Sequence, residues 1–247
     1  MSSKPSPASF TADATTERGV AVRRHPEVIA ELIALAGTRV IDVGCGDGAL
    51  TRLLTKRGAK AVGLEISQAK LRRALAAPAV GDERYLEGSG EELPFADTSA
   101  DAIIFLNSFH HVPVAVQGAA LAEAARVLVP GGRLLILEPL AQGAFFELVR
   151  AIEDETEIRA HAYEAIQAAA THGLKMLQEV WYDCPVKFAD FAAFERSVVA
   201  VDEARVAAFA RLKTELEQGF AAKGDARADG TYFAQPFRVN LLEKASP

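Results

Sequence analysis

Cysteine is nearly absent from this sequence. Cys45 and Cys184 are the only two in 247 residues, too few for a disulfide framework or a cysteine-built metal cluster. No apolar run approaches the roughly 18 residues needed to cross a bilayer. A basic excess is missing as well: 27 Lys and Arg stand against 33 Asp and Glu, a formal net charge of -6. That balance leaves no electrostatic footprint for a phosphate backbone, so nucleic acid is not an expected partner. The opening stretch to Val20 is rich in Ser, Thr, Ala and Pro and has no apolar h-region, so no secretory signal is expected. These absences lead to the expectation of a cytoplasmic globular protein with no membrane span and no metal site.

What is present is an alternation of short apolar runs and amphipathic stretches. Residues 1–25 read as a flexible arm, with Arg23, Arg24 and His25 at its end. A helix is predicted to open at Pro26, whose fixed φ suits a first helical turn, and Gly37 closes it. Strands are predicted at Arg39–Val43, Ala59–Glu65, Arg84–Leu86, Ala102–Leu106 and Arg133–Leu137. Helical patterns separate them, one N-capped by Ser67. This rhythm implies an α/β fold with a parallel, doubly wound sheet. After Pro139 the pattern changes. Phe145–His172 reads as helix broken near Glu155, Met176–Phe188 as a long strand, and Asp190–Phe220 as helix again. Gly224–Gly230 reads as a polar loop. Tyr232–Glu243 reads as a last strand that Pro236 places near an edge. The two late strands are expected to pair antiparallel, with the helices at about 190–222 inserted between them. The expected division is an arm (1–25), a ligand-binding core (26–140) and the remainder of the same domain (141–247).

Open parallel sheets bind ligands at the carboxyl ends of their strands, where the strand order reverses. The first strand ends in a glycine-rich turn, Gly44 to Gly48. Gly44 and Gly46 let a ligand approach the backbone without a Cβ in the way. About twenty residues further on, the second strand ends in Glu65, whose carboxylate can accept both hydroxyls of a ribose. Two cofactors fit an acid at that distance. A dinucleotide reading takes Gly44-x-Gly46-x-x-Ala49 as a relaxed GxGxxG/A pattern. Against it stands Asp42, a carboxylate that repels a pyrophosphate and suits a ligand carrying an ammonium and a sulfonium. The plainer role for Asp42 is a strand-end side chain that hydrogen-bonds the loop.

Four stretches carry a family resemblance. Val40–Gly48 (VIDVGCGDG) resembles the first motif of class I S-adenosylmethionine-dependent methyltransferases. Glu87–Phe95 (EGSGEELPF), Leu106–Val112 (LNSFHHV) and Arg126–Arg133 (RVLVPGGR) resemble the later ones, in order and in register. The likeness is to the small-molecule branch, methyltransferase type 11, that includes the quinone-biosynthesis C-methyltransferases, and it covers about Val40 to Pro139. It implies a Rossmann-like, seven-stranded, mostly parallel sheet with a late antiparallel strand and a helical insert, and S-adenosyl-L-methionine as cofactor. By position, Asp42 belongs to the cofactor motif, and Gly44, Cys45 and Gly46 would contact the amino-acid part of the cofactor. Glu65 would hold the ribose and Ile66 would pack on the adenine. Asn107 would lie near the methionine amino group. Where the family carries Gly-Asp-Ala this chain has Gly88-Ser89-Gly90, so Ser89 offers no charge and adenine recognition passes to the amides of Gly90 and Glu91.

The resemblance implies methyl transfer to a small, hydrophobic or aromatic acceptor by in-line displacement, in a monomer or homodimer. The alternatives are a protein that binds the cofactor or its spent form without chemistry, and a nucleotide-dependent oxidoreductase. His110 and His111 follow the fourth strand beside the expected methyl group and are the candidate general bases, His110 preferred; core packing is the other account of each. Glu138, ending the fifth strand, orients substrate or holds a loop. Phe145, Phe146, Trp181, Tyr182 and Phe188 line an acceptor pocket or belong to the core, and Tyr182 and Asp183 are spare bases. Cys45 and Cys184 read as packing residues, and Asp97 and Asp101 as turn and strand-entry residues.

Overall fold

The computed structural model describes residues 20–200 and 203–245. Helix α1 spans His25–Leu32, with Pro26 in its first turn and Glu27 accepting from the Arg24 amide at 3.2 Å. It stops short of Gly37. Three strand–helix units and a lone strand follow: β1 (Arg39–Val43) and α2 (Ala49–Lys56), β2 (Lys60–Glu65) and α3 (Gln68–Ala76), the unaccompanied β3 (Arg84–Glu87), then β4 (Ala100–Leu106) and α4 (Gln117–Val127). Ser67 caps α3, accepting from the Lys70 amide. Strand β5 is Leu128–Pro139.

These strands are apolar on both faces because both faces are covered. Val40, Ala102, Ile104, Leu135 and Leu137 pack under Val28 and Ile29 of α1 and Leu54 of α2. Ile41, Val43, Ile103, Phe105, Leu134 and Ile136 pack under Leu121 and Ala124 of α4. Odd and even positions of one strand therefore serve different cores, as the period of two requires.

Beyond β5 the chain forms α5 (Ala144–Val149), α6 (Thr156–Gln167) and β6 (Leu174–Asp183). The break before α6 falls at Glu155, where the sequence placed it. Next come β7 (Val186–Phe188), α7 (Phe191–Val199), α8 (Glu203–Lys223), β8 (Asp225–Arg227), β9 (Gly230–Phe233) and β10 (Pro236–Lys244). Seven strands form one sheet in the order β3-β2-β1-β4-β5-β10-β6, in which β10 runs antiparallel to both β5 and β6. This is the Rossmann-like, doubly wound arrangement with one late antiparallel strand. The order reverses at β1, which pairs with β2 on one side and β4 on the other.

Several late expectations are corrected. The long strand at Met176–Phe188 is two strands: β6 ends at Asp183, and β7, beyond Pro185, belongs to a second sheet. The final strand divides likewise, at Ala234–Gln235, into β9 and β10. The polar loop at Gly224–Gly230 contains β8. Strand β10 lies one strand in from the β6 edge and is paired on both sides. Pro236 is tolerated because it is the first residue of the strand, where an N–H is least needed. The arm lies mostly outside the described residues, but its last part is held to β6: the Asp183 amide donates to Ala21, and the Arg23 amide donates to Asp183.

The second sheet, β7-β9-β8, and helices α7 and α8 enclose a core of their own. Phe188, Phe191, Phe194, Phe209, Phe220 and Phe233 fill it, with ring centroids 4.9–6.5 Å apart. Phe194 is fully buried and meets four of the others. Truncating it removes a large apolar side chain from a packed site. Phe194→Ala is expected to cost about 3–5 kcal/mol in urea unfolding; a loss under about 1 kcal/mol would contradict this core.

Candidate active site at the carboxyl rim of the sheet

Strand β1 runs into the bend Gly44–Gly48 at the point where the sheet order reverses. Gly44, Gly46 and Gly48 all have positive φ, at 74°, 59° and 80°, a region in which side chains with a Cβ are strained. The two glycines the sequence grouped together have different reasons for being there. A Cβ on Gly44 would lie 2.5 Å from the Cβ of Ser108, so this glycine admits the loop after β4. A Cβ on Gly46 would meet nothing within 4 Å, so this glycine faces open space, as a ligand-cradling position requires.

Glu65 ends β2 and turns toward that bend. Its Oε2 accepts from the Gly46 amide and its Oε1 from the Ser67 amide, both at 2.8 Å. A carboxylate oxygen accepts about two hydrogen bonds, so each oxygen keeps acceptor capacity for one more. Next to it Ile66 is 68% exposed. A large aliphatic side chain held out at the mouth of a glycine bend is an apolar surface suited to a planar ring.

Asp42 lies one residue before the end of β1. It is buried on the α2 side of the sheet and accepts from the Thr51 hydroxyl at 2.7 Å. Burial pushes its carboxyl up to about 7, against the opposing Thr51 hydrogen bond, with the nearby Glu65 charge adding to the rise. The Thr51 contact ties the end of β1 to the first turn of α2, where the plainer role read from the sequence had expected loop amides. Burial likewise pushes the Cys45 thiol up to about 12, which leaves it inert as a nucleophile.

The loop after β3 closes the opposite side. Ser89 pairs with Glu92 in an isolated bridge, and Ser89 and Glu91 are half-buried. Gly90 is buried against Phe105, where an added Cβ would come within 3.2 Å of the ring. Asn107, at the end of β4, is exposed and left-handed, with φ 54°. Its amide donates to Leu137 at 2.8 Å, which fixes the turn leading to the histidines.

Those histidines sit in the short 3-10 turn Phe109–His111. His110 is buried, and its Nδ1 is hydrogen-bonded to Glu138 Oε2. The other Glu138 oxygen accepts from the Phe109 amide at 3.0 Å, so the carboxylate acts as acceptor on both sides. Nδ1 therefore donates, and in the neutral ring Nε2 is the nitrogen with the lone pair. His111 lies alongside, ring centroids 4.0 Å apart, and is the exposed member of the pair. Partial burial of its ring, with the adjacent His110 charge, lowers its pKa to about 4.

Glu155, just before α6, was seen from the sequence only as a break in a helix. It reaches this turn, with Oε1 3.9 Å from His110 Nε2. Arg159 donates to its Oε2 at 2.5 Å and to the Leu140 carbonyl at 2.9 Å, and its guanidinium lies over the Phe146 ring. Burial raises the Glu155 carboxyl, but Arg159 and His110 outweigh it and hold it below the usual range. No spacing rule brings a residue at 155 to a pair at 110 and 111; only the packing of α6 on the turn does.

The other candidates separate. Tyr182 is fully buried on the α1 face, paired with His25 Nδ1 at 2.8 Å, and its phenol is raised by burial. It is not a base. Phe145 stacks on Phe188 in the separate insert core, Trp181 is exposed and donates to Glu179, and Asp183 is buried at the end of β6. Of the aromatic residues singled out, Phe146 backs the histidine cluster, through Arg159. Asp101 pairs with Arg39, and Asp97 pairs with Arg126.

Comparison with known proteins agrees with this layout. Residues 41–136 match the family model described as a methyltransferase domain. The 27-O-demethylrifamycin SV methyltransferase of Amycolatopsis mediterranei is 34% identical over 164 residues, covering 59% of this chain and 60% of that one. The demethylmenaquinone methyltransferase of Tropheryma whipplei is 40% identical over 103 residues, 42% of each chain. The chain thus spans about half the length of the curated relatives it matches. Among solved structures, the cyclase SpnF superposes with a TM-score of 0.61 at 18% identity, covering 96% of this chain and 86% of that one. That likeness is one of fold, and a shared fold does not fix the reaction.

Asp42 makes the stability of the protein depend on pH. With its folded carboxyl near 7, the folded chain keeps a proton that the unfolded chain has lost above about pH 4. The contribution of this group therefore falls as pH rises from about 4 to about 7 and is level above that. Asp42→Asn is expected to remove this part of the slope in a melting-temperature series across that range. Parallel slopes for the two proteins would rule the shifted carboxyl out.

Proposed function

We propose that this chain transfers a methyl group from S-adenosyl-L-methionine to a small, hydrophobic or aromatic acceptor by in-line displacement. The observation that carries the reading is Glu65, turned onto the bend at Gly46 with acceptor capacity to spare and an exposed Ile66 at its side. A ribose diol fits that carboxylate. Two charge-assisted hydrogen bonds there are worth roughly 1.5–3 kcal/mol each. The open space over Gly46 suits the amino-acid part of the cofactor, with Gly44, Cys45 and Asn107 as its neighbours, and the loop Ser89–Glu91 is the segment we assign to the adenine. Asp42 takes part indirectly, through Thr51. The methyltransferase-domain match over residues 41–136 supports the same reading.

The cofactor supplies an already activated methyl group on a sulfonium, so the work of the protein is chiefly orientation. Where the acceptor must lose a proton, the ring that meets it is His111, the exposed histidine. This reverses the preference for His110 taken from the sequence, because the His110 side chain is only 1% exposed. His110, held by Glu138, is a positioning residue that fixes the plane of the turn.

Calorimetry with S-adenosylhomocysteine tests the cofactor site. Glu65→Ala is expected to weaken binding by at least about 100-fold, the loss of two such hydrogen bonds; unchanged affinity would defeat the assignment. Turnover with labelled methyl donor tests the base. His111→Ala is expected to lower kcat by about 10²-fold or more for an acceptor that must be deprotonated, with cofactor affinity unaltered. Binding without transfer to any acceptor in a metabolite extract would favour the non-catalytic reading.

A further inference from the structure

The gap between His110 and Glu155 has the dimensions of a metal site. Nε2 of His110 and Oε1 of Glu155 face each other at 3.9 Å, too far for a hydrogen bond. A ring nitrogen of His111 completes the group: one ligand atom from each of the three residues lies within 4.8 Å of the other two. We propose that His110, His111 and Glu155 bind a single divalent transition metal of the zinc class, with His110 Nε2 and Glu155 Oε1 as ligand atoms.

The chemistry of the donor set fits. Two imidazoles and one carboxylate, with a fourth position left open, form a known ligand set for zinc, at about 2.0–2.2 Å from the ion. Tetrahedral geometry at those lengths puts ligand atoms about 3.3–3.5 Å apart, so the three must close by roughly an ångström. His111 is exposed and has room to rotate toward the other two. His110, the buried member, already points its free nitrogen inward.

The surroundings resemble those of a built site. Histidines that bind metals usually donate their second nitrogen to a carboxylate, which fixes the ring and makes it a better ligand. Glu138 does this for His110 and is itself fixed by the Phe109 amide. Arg159 holds the far oxygen of Glu155 and leaves the near one free. Histidine residues one apart in a 3-10 turn and a glutamate from the start of another helix are then drawn together across the rim. An ion there ties α6 to the loop after β4. It also takes the lone pairs of both histidines, so the metal-loaded form and a form with His111 as base are alternatives. The site itself does not depend on methyl transfer being the reaction.

The test uses the full chain, freed of metal by a chelator and dialysed. Zinc is titrated against a chromophoric competitor, and cobalt is used as a spectroscopic probe. One zinc per chain is expected, with a cobalt d–d band in the visible. His111→Ala and Glu155→Gln, both at positions with some solvent access, are each expected to weaken zinc by at least the roughly 10- to 100-fold that losing a supporting partner costs. His161→Ala, at an exposed histidine on α6, is expected to change nothing. Zinc binding that is equally tight in His111→Ala and Glu155→Gln would overturn the proposal. So would the absence of both stoichiometric zinc and the cobalt band in the unaltered protein.

Discussion

The site depends on one carboxylate bridging two strand ends. Glu65 accepts from the amide of Gly46 in the bend after β1 and from the amide of Ser67 at the start of α3. Both donors lie where the chain leaves the sheet and the regular ladder can no longer satisfy them. The largely buried carboxylate thereby has a donor for each oxygen, and the bend is fixed in the shape that leaves Gly46 open. The same group holds the loop and presents acceptor capacity to a ligand. A neutral or shorter side chain at 65 would lose the bend as well as the ligand.

The rim has a second half, built from β4, β5 and α6. There the organising group is Glu138, which satisfies the Phe109 amide and fixes the plane of His110. Glu138 lies opposite Arg238 in the β5–β10 pairing, on the same face of the sheet. Arg238 is buried beneath Tyr163, its charge held over the ring at 3.4 Å. Acidic groups in this half, Glu138 and Glu155, are each paired with a cation or a donor, so a concentration of carboxylates under α6 is tolerated. The two halves meet across the loop at Asn107 and Ser108. Ser108 presses on Gly44 and donates to the Val43 carbonyl at 2.7 Å.

The parallel core and its glycine bend were legible because their signals are local. A run such as Val40–Val43 followed by glycines reads as strand then turn wherever it occurs, and the strand–helix alternation forces a parallel sheet. Glu65 was legible by its distance from the glycines. The late strands were harder. Met176–Phe188 and Tyr232–Glu243 look continuous because β-branched and aromatic residues suit either sheet, and the exchange from one sheet to the other falls at Cys184-Pro185 and Ala234-Gln235. Nothing in periodicity separates a long strand from two short ones in different sheets.

The sequence alone determined the order of strands and helices through β5, the glycine bend, the acid at 65 and the presence of two histidines after β4. Each of these is a property of neighbouring residues or of a fixed spacing along the chain. Tertiary structure decided which glycine faces open space, that Asp42 is buried against Thr51, that His110 is buried and His111 exposed, and that Glu155 joins them. These depend on which groups from distant segments occupy the same volume, and burial and partnership, unlike periodicity, are set only when the helices pack onto the sheet.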